Sequence, residues 1–62
     1  MKFTCIKEVQ SFNGNYFTEG NTYDGYANEF GELYATDNSG KNFNVGINVN
    51  DEWFQEHFII AC

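Results

Sequence analysis

Arginine is absent from this sequence, and lysine occurs only at positions 2, 7 and 41. Set against nine acidic residues, that leaves a formal charge of −6. A protein that holds nucleic acid neutralises phosphates with cations, and an anionic membrane surface asks for the same. Neither is an expected partner. No long apolar run is present either, so no segment is expected to span a membrane. MKFTCIKEV at the start lacks the long apolar stretch of a signal peptide. No Asn-x-Ser/Thr acceptor occurs. These absences lead to the expectation of a cytoplasmic protein.

Two cysteines, Cys5 and Cys62, are too few for a disulfide scaffold. Both fall in expected strands, where free thiols behave as small hydrophobes. A bridge between the first and last strands stays open as an alternative. One histidine and two cysteines, far apart, do not make a zinc site. The glycines are spread at turns and form no phosphate-binding loop.

What the chain has is aromatics: seven Phe, four Tyr and one Trp. A domain this small buries only about 60% of the surface its unfolded chain exposes. Large rings, each burying roughly 150–250 Å², compensate for the short length. Twelve exceed what such a core hides. Some are therefore expected at the surface, where aromatics are enriched in interaction patches.

Short apolar and β-branched runs separated by turn residues indicate an all-β chain. Lys2 to Val9 (KFTCIKEV) reads as the first strand. Residues 10 to 21 read as a long folded-over loop or irregular hairpin, with turns at Asn13-Gly14 and Glu19-Gly20-Asn21. Thr22 to Asn28 reads as a second strand with a bend at Gly25. Glu29-Phe30-Gly31 turns the chain, Glu32 to Asp37 is a third strand, and Asn38-Ser39-Gly40 is a turn. Lys41 to Val49 alternates, with Phe43, Val45 and Ile47 on one face and Asn42, Asn44 and Asn48 on the other. Asn50 or Asp51 caps a helical turn over Asp51 to Glu56, expected to be 3₁₀. Phe58 to Ala61 is a last, buried strand.

Five strands that close on themselves leave no exposed edge, which is the architecture of a five-stranded SH3-like barrel. The pattern resembles a group of very small SH3-like proteins common in bacteriophage genomes. It does so at CIK (5 to 7), F-T-x-G-x-x-Y (17 to 23), Y-A-x-D-x-x-G-K (34 to 41) and W-F-x-x-x-F (53 to 58). The resemblance covers nearly the whole chain and implies a small intracellular protein of viral origin that acts by contact. Tyr-Asp-Gly-Tyr at 23 to 26 echoes the ALYDY segment of peptide-binding SH3 domains only superficially. Trp53 precedes the last strand instead of lying at the hairpin position a proline-peptide groove needs. Proline-rich ligands are not expected.

Catalytic constellations are weak. His57 has no nucleophile paired with it in sequence, unless strand pairing brings a cysteine to it; buried strand cysteine is the preferred reading. It is expected at an edge, entering the last strand. Asp37 to Lys41 begins like a calcium loop, but lysine stands at position 5, glycine at position 4, and position 12 is Asn48. It reads as a hairpin turn. Glu29/Glu32 and Asp51/Glu52 flank turns with no pocket beside them. The expectation is a non-enzymatic protein without cofactors.

The surface remains. Glu19, Asp24, Glu29, Glu32 and Asp37 lie along the second and third strands and their loops, interleaved with Tyr26, Phe30 and Tyr34, and all of these but Asp37 make up the candidate set. If Tyr23 faces inward, Asp24 and Tyr26 face outward together. Aromatics anchor an interface and charges steer it. These seven residues are the candidate protein-binding face, and the expected partner is a host protein with a basic surface, which the protein would inhibit or redirect. Two alternatives stand beside that reading: a homodimeric structural or accessory phage protein, and an acidic DNA mimic.

Overall fold

The computed structural model describes residues 1–12 and 14–61. The elements run β1 (Lys2–Cys5), β2 (Val9–Ser11), β3 (Gly14–Phe17), β4 (Thr22–Ala27), β5 (Leu33–Thr36), β6 (Asn42–Gly46), α1 (Glu52–His57) and β7 (Phe58–Ile60). Five strands form one curled antiparallel sheet in the order β6-β5-β4-β1-β7, and β2 pairs with β3 as a separate hairpin. The fold is all-β, small and barrel-like.

Inward-facing positions build the core from Phe3, Cys5, Phe17, Leu33, Ala35, Val45, Phe54 and Phe58. Rings meet largely edge to face, the favoured arrangement: Phe3 with Phe54 at 5.1 Å, Phe17 with Tyr23 at 4.9 Å and Phe17 with Phe58 at 5.0 Å. Phe17 thus carries the hairpin onto the sheet. Asn38 fastens it there. Its backbone N–H donates to the Tyr16 carbonyl, its Nδ2 donates to the Asn15 carbonyl and Thr18 Oγ1, and its Oδ1 accepts from the Tyr23 hydroxyl.

Several expected boundaries move, each for a local reason. The first strand ends at Cys5, because the chain bends at Ile6 and Lys7 and starts a new strand at Val9. The expected irregular hairpin is β2–β3, with a register shift between Val9 and Gln10. Asn13 of its turn lies outside the described residues, as does Cys62 and with it the question of a bridge to Cys5. Gly25 keeps its place in the ladder opposite Ala35. It serves packing and not a bend.

The alternating strand stops at Gly46, and Ile47 is exposed, not on the core face with Phe43 and Val45. A close backbone approach and a hydrogen bond turn the chain there. A Cβ at Gly46 would stand 2.9 Å from that of Phe54, and the Ile47 N–H donates to Asp51 Oδ2. The following turn is α-helical, not 3₁₀. Asp51 is its cap, with Oδ1 accepting from Phe54 N–H at 3.1 Å. The Gln55 N–H reaches the Asp51 carbonyl and the Phe58 N–H reaches the Phe54 carbonyl, both four residues back.

In β7 only Phe58 is buried; Ile59 and Ile60 are exposed because the strand is a sheet edge. Among the described residues the sheet does not close by strand pairing. Helix α1 packs against both edge strands, β6 and β7, and bridges them. His57 ends that helix and is buried, not exposed at an edge.

Candidate protein-binding face

Strand alternation puts Tyr23 inside, against Phe17, and Asp24 and Tyr26 outside. Pairing in the sheet then sets their neighbours. Tyr26 stands opposite Tyr34, and the two rings stack with centroids 5.3 Å apart and planes at 15°. Cross-strand aromatic pairs of this kind stabilise a sheet by roughly 0.2–1 kcal/mol. The Asn42 amide donates to the Tyr26 hydroxyl at 2.9 Å, which holds that ring in place. Asp24 lies opposite Lys2, and Nζ and Oδ1 are 2.5 Å apart. The hydrogen bond and charge of Lys2 hold the Asp24 carboxyl below the usual aspartate range. Farther along, the hydroxyls of Thr4 and Thr22 pair at 2.9 Å.

The β4–β5 turn forms the rim of this face. Asn28 organises it: Oδ1 accepts from the N–H groups of Phe30 and Glu32, and Nδ2 donates to Glu32 Oε1 at 2.7 Å. Phe30 is pushed outward and left 78% exposed. Glu29 is exposed beside it. Glu32 is committed to Asn28, so its charge helps build the turn.

The seven candidate residues therefore divide. Asp24, Tyr26 and Tyr34 share the outer face, and Glu29, Phe30 and Glu32 lie at its end. Glu19 belongs elsewhere. It sits in the β3–β4 turn, where the Gly20 N–H donates to the Cys5 carbonyl. It is separated from Phe30 by the length of β4, roughly 20 Å at ~3.3 Å per residue. Lys2 and Asn42 belong to the face and were not among its candidates. Asn42 was legible as an outward residue of an alternating strand. Lys2 became a neighbour of Asp24 only through register.

The other polar constellations are engaged in building turns and ends. Asp37 is buried, and its Oδ1 accepts from Ser39 N–H, Ser39 Oγ and Lys41 N–H at 2.7–2.9 Å. This is the expected hairpin turn. Cys5 and His57 do not act on one another: the Cys5 thiol donates to the Lys7 carbonyl at 3.1 Å, and His57 Nδ1 lies 2.8 Å from the Trp53 carbonyl. The His57 ring also stacks on Trp53 at 4.1 Å. Burial pushes the Cys5 thiol pKa up, which works against a reactive thiolate. Among the described residues no helix is long and apolar enough to cross a membrane. No protein-family model, curated protein or solved structure matches the chain.

Proposed function

We propose that this chain is a non-enzymatic protein-interaction module that occludes a basic surface of another protein. The observation that carries the reading is the Tyr26–Tyr34 stack, with Tyr26 exposed beside Asp24, Tyr34 half-buried under it, and Phe30 exposed at the rim. Tyrosine offers large contact area at small entropic cost, and exposed rings of this kind anchor interfaces. The overall charge of −6 favours encounter with a basic partner. Phage origin and inhibition of a host protein are the form this activity takes if the resemblance to small phage SH3-like proteins holds.

The acids themselves lend less support to mimicry of DNA. Asp37 and Asp51 are tied into a turn and a helix cap. Asp24 and Glu56 are ion-paired, and Glu32 is bonded to Asn28. Few carboxylates remain to imitate a regular row of phosphates.

Affinity capture from bacterial lysate tests the proposal, run beside an Asp24→Lys/Tyr26→Ala variant whose fold is verified by circular dichroism. A stoichiometric partner with a basic surface, lost with the variant, is the expected result. A partner retained by the variant, or self-association in place of any partner, overturns it.

A further inference from the structure

On the opposite margin of the sheet, β7 and α1 enclose a shallow apolar groove of about 350 Å³. Val49, Phe54, Gln55, Phe58, Ile59 and Ile60 line it. Val49, Ile59 and Ile60 are each about half exposed. Beside the groove runs the outer edge of β7, met by α1 at Phe58 and, among the described residues, paired with no further strand. The Ala61 N–H bonds the Lys2 carbonyl, and the Ile6 N–H bonds the His57 carbonyl. In an antiparallel ladder the bonded pairs recur at every second residue, so Thr4 and Ile59 complete that series. Phe58 and Ile60 therefore direct their backbone groups away from β1. The Phe58 N–H is used by the helix end. The Phe58 carbonyl and both backbone groups of Ile60 face the sheet's open margin.

Natural sheet edges are blunted by charge, proline or bulges. This one carries none of these in FIIA at 58 to 61. The other edge, β6, presents Asn42 and Asn44. We propose that β7 is a docking edge that takes an extended, apolar and basic segment of a partner protein as an added strand. This mode draws affinity from backbone hydrogen bonds and specificity from pockets for alternate side chains. The groove supplies the pocket.

Charge argues for a basic segment. No lysine lines the groove. Lys2 and Lys7 are paired with Asp24 and Glu56, and Lys41 lies at the start of β6. Glu52, an exposed acid, precedes the groove-lining Gln55 by three residues on α1. A second copy of this chain fits less well, because it would bring a further −6. A stable dimer also needs about 800 Å² from each partner, roughly a fifth of this chain's 4057 Å² surface, and a three-residue edge offers far less. The proposal concerns a different face from Tyr26 and Tyr34 and does not depend on their role.

The test uses a capped octapeptide of alternating lysine and valine, with a glutamate–valine octapeptide as control, titrated into the ¹⁵N-labelled protein. Binding with a Kd on the order of 100 µM is expected, with shifts at Val49, Ile59 and Ile60. Exchange of the Ile60 amide should slow by about tenfold. The glutamate peptide should bind about tenfold more weakly. Ile60→Pro removes the outward N–H and leaves the β1 ladder its bonds, as proline on an edge strand does. Ile60→Lys sets a cation against the peptide. Both should weaken binding about tenfold, with cross-strand β1–β7 nuclear Overhauser effects retained. Equal binding by these variants overturns the proposal. So do shifts centred on Tyr26 and Tyr34, absence of any Ile60 protection, or sedimentation of the free protein as a dimer through β7.

Discussion

Gly25 of β4 lies flat against the ring of Phe3. A methyl group at Gly25 would overlap that ring and stand 2.8 Å from the Tyr34 carbonyl oxygen. Phe3 is fully buried and also meets Phe54 and Phe58, so it has nowhere to retreat. Gly25→Ala should therefore destabilise by about 1–3 kcal/mol, the usual cost of overpacking a filled core. In a domain of this size that is a fall in Tm on the order of 10 °C. Urea unfolding of the variant checks it, and an unchanged midpoint would refute the packing role.

Asn38 joins three segments through one side chain and one backbone N–H. Asn38→Ala keeps the N–H bond to Tyr16 and loses the other three. A loss of about 1–2 kcal/mol is expected, concentrated in the hairpin. Amide exchange should show this. Protons of β2 and β3 should exchange faster relative to wild type, while those of β1 and β4 follow only the global change. Uniform acceleration across all strands would mean that Asn38 does not dock the hairpin.

Acid should weaken the fold through Asp37. Burial opposes its ionisation, but the hydrogen bonds from Ser39 Oγ, Lys41 N–H and Ser39 N–H outweigh it and hold the pKa below 3.8. A depressed folded pKa means stability that is present above the unfolded value and lost as pH falls toward the folded one. Asp24, Asp51 and Glu56 are shifted the same way. The denaturation midpoint should therefore drop between about pH 5 and pH 3. Asp37→Asn can still accept at Oδ1 but does not titrate, so its pH profile should be flatter than wild type. An identical slope in the two proteins would exclude Asp37 from the acid response.

The Cys5 thiol should be protected in the native state. It is buried, donates to the Lys7 carbonyl, and has its pKa raised by burial first and by the nearby charges of Glu19 and Glu8. In a Cys62→Ser background, a thiol-specific disulfide reagent should label Cys5 about a hundredfold more slowly in buffer than in concentrated urea. Comparable rates would show a mobile or exposed β1.

Much of this fold could be read along the chain because strand alternation and turn residues are local signals. Phe43 and Val45 face the core as the alternation of Asn42 to Gly46 requires. Ile47 breaks from it because the backbone is turned by Gly46 and captured by Asp51, neither of which registers in a side-chain pattern. Asp51 was legible as a cap. The type of helix was decided by the bonds from Gln55 N–H to the Asp51 carbonyl and from Phe58 N–H to the Phe54 carbonyl, which depend on how far the turn continues. Trp53 and His57, four apart, fall on one helix face, the spacing of the stacked pair they form. The outward pairing of Asp24 with Tyr26 followed from parity once Tyr23 was placed inside. The Lys2–Asp24 and Tyr26–Tyr34 partnerships needed register, which the chain does not display. Glu19 and Glu32 looked like members of one acidic face because their neighbours in sequence were; their neighbours in space are a turn and an Asn side chain.

β1 occupies an interior place in the sheet, between β4 and β7, so Phe3 faces Tyr23 on one side and Ile60 on the other. During synthesis this strand leaves the ribosome long before β7 exists. Until then its Thr4 amide and carbonyl have water where Ile59 will be, and Phe3 and Cys5 lack Phe58. Commitment to the native sheet waits on this pairing between residues far apart in sequence, which makes for slow folding. Completion of this sheet is thus timed by the arrival of Phe58 to Ile60.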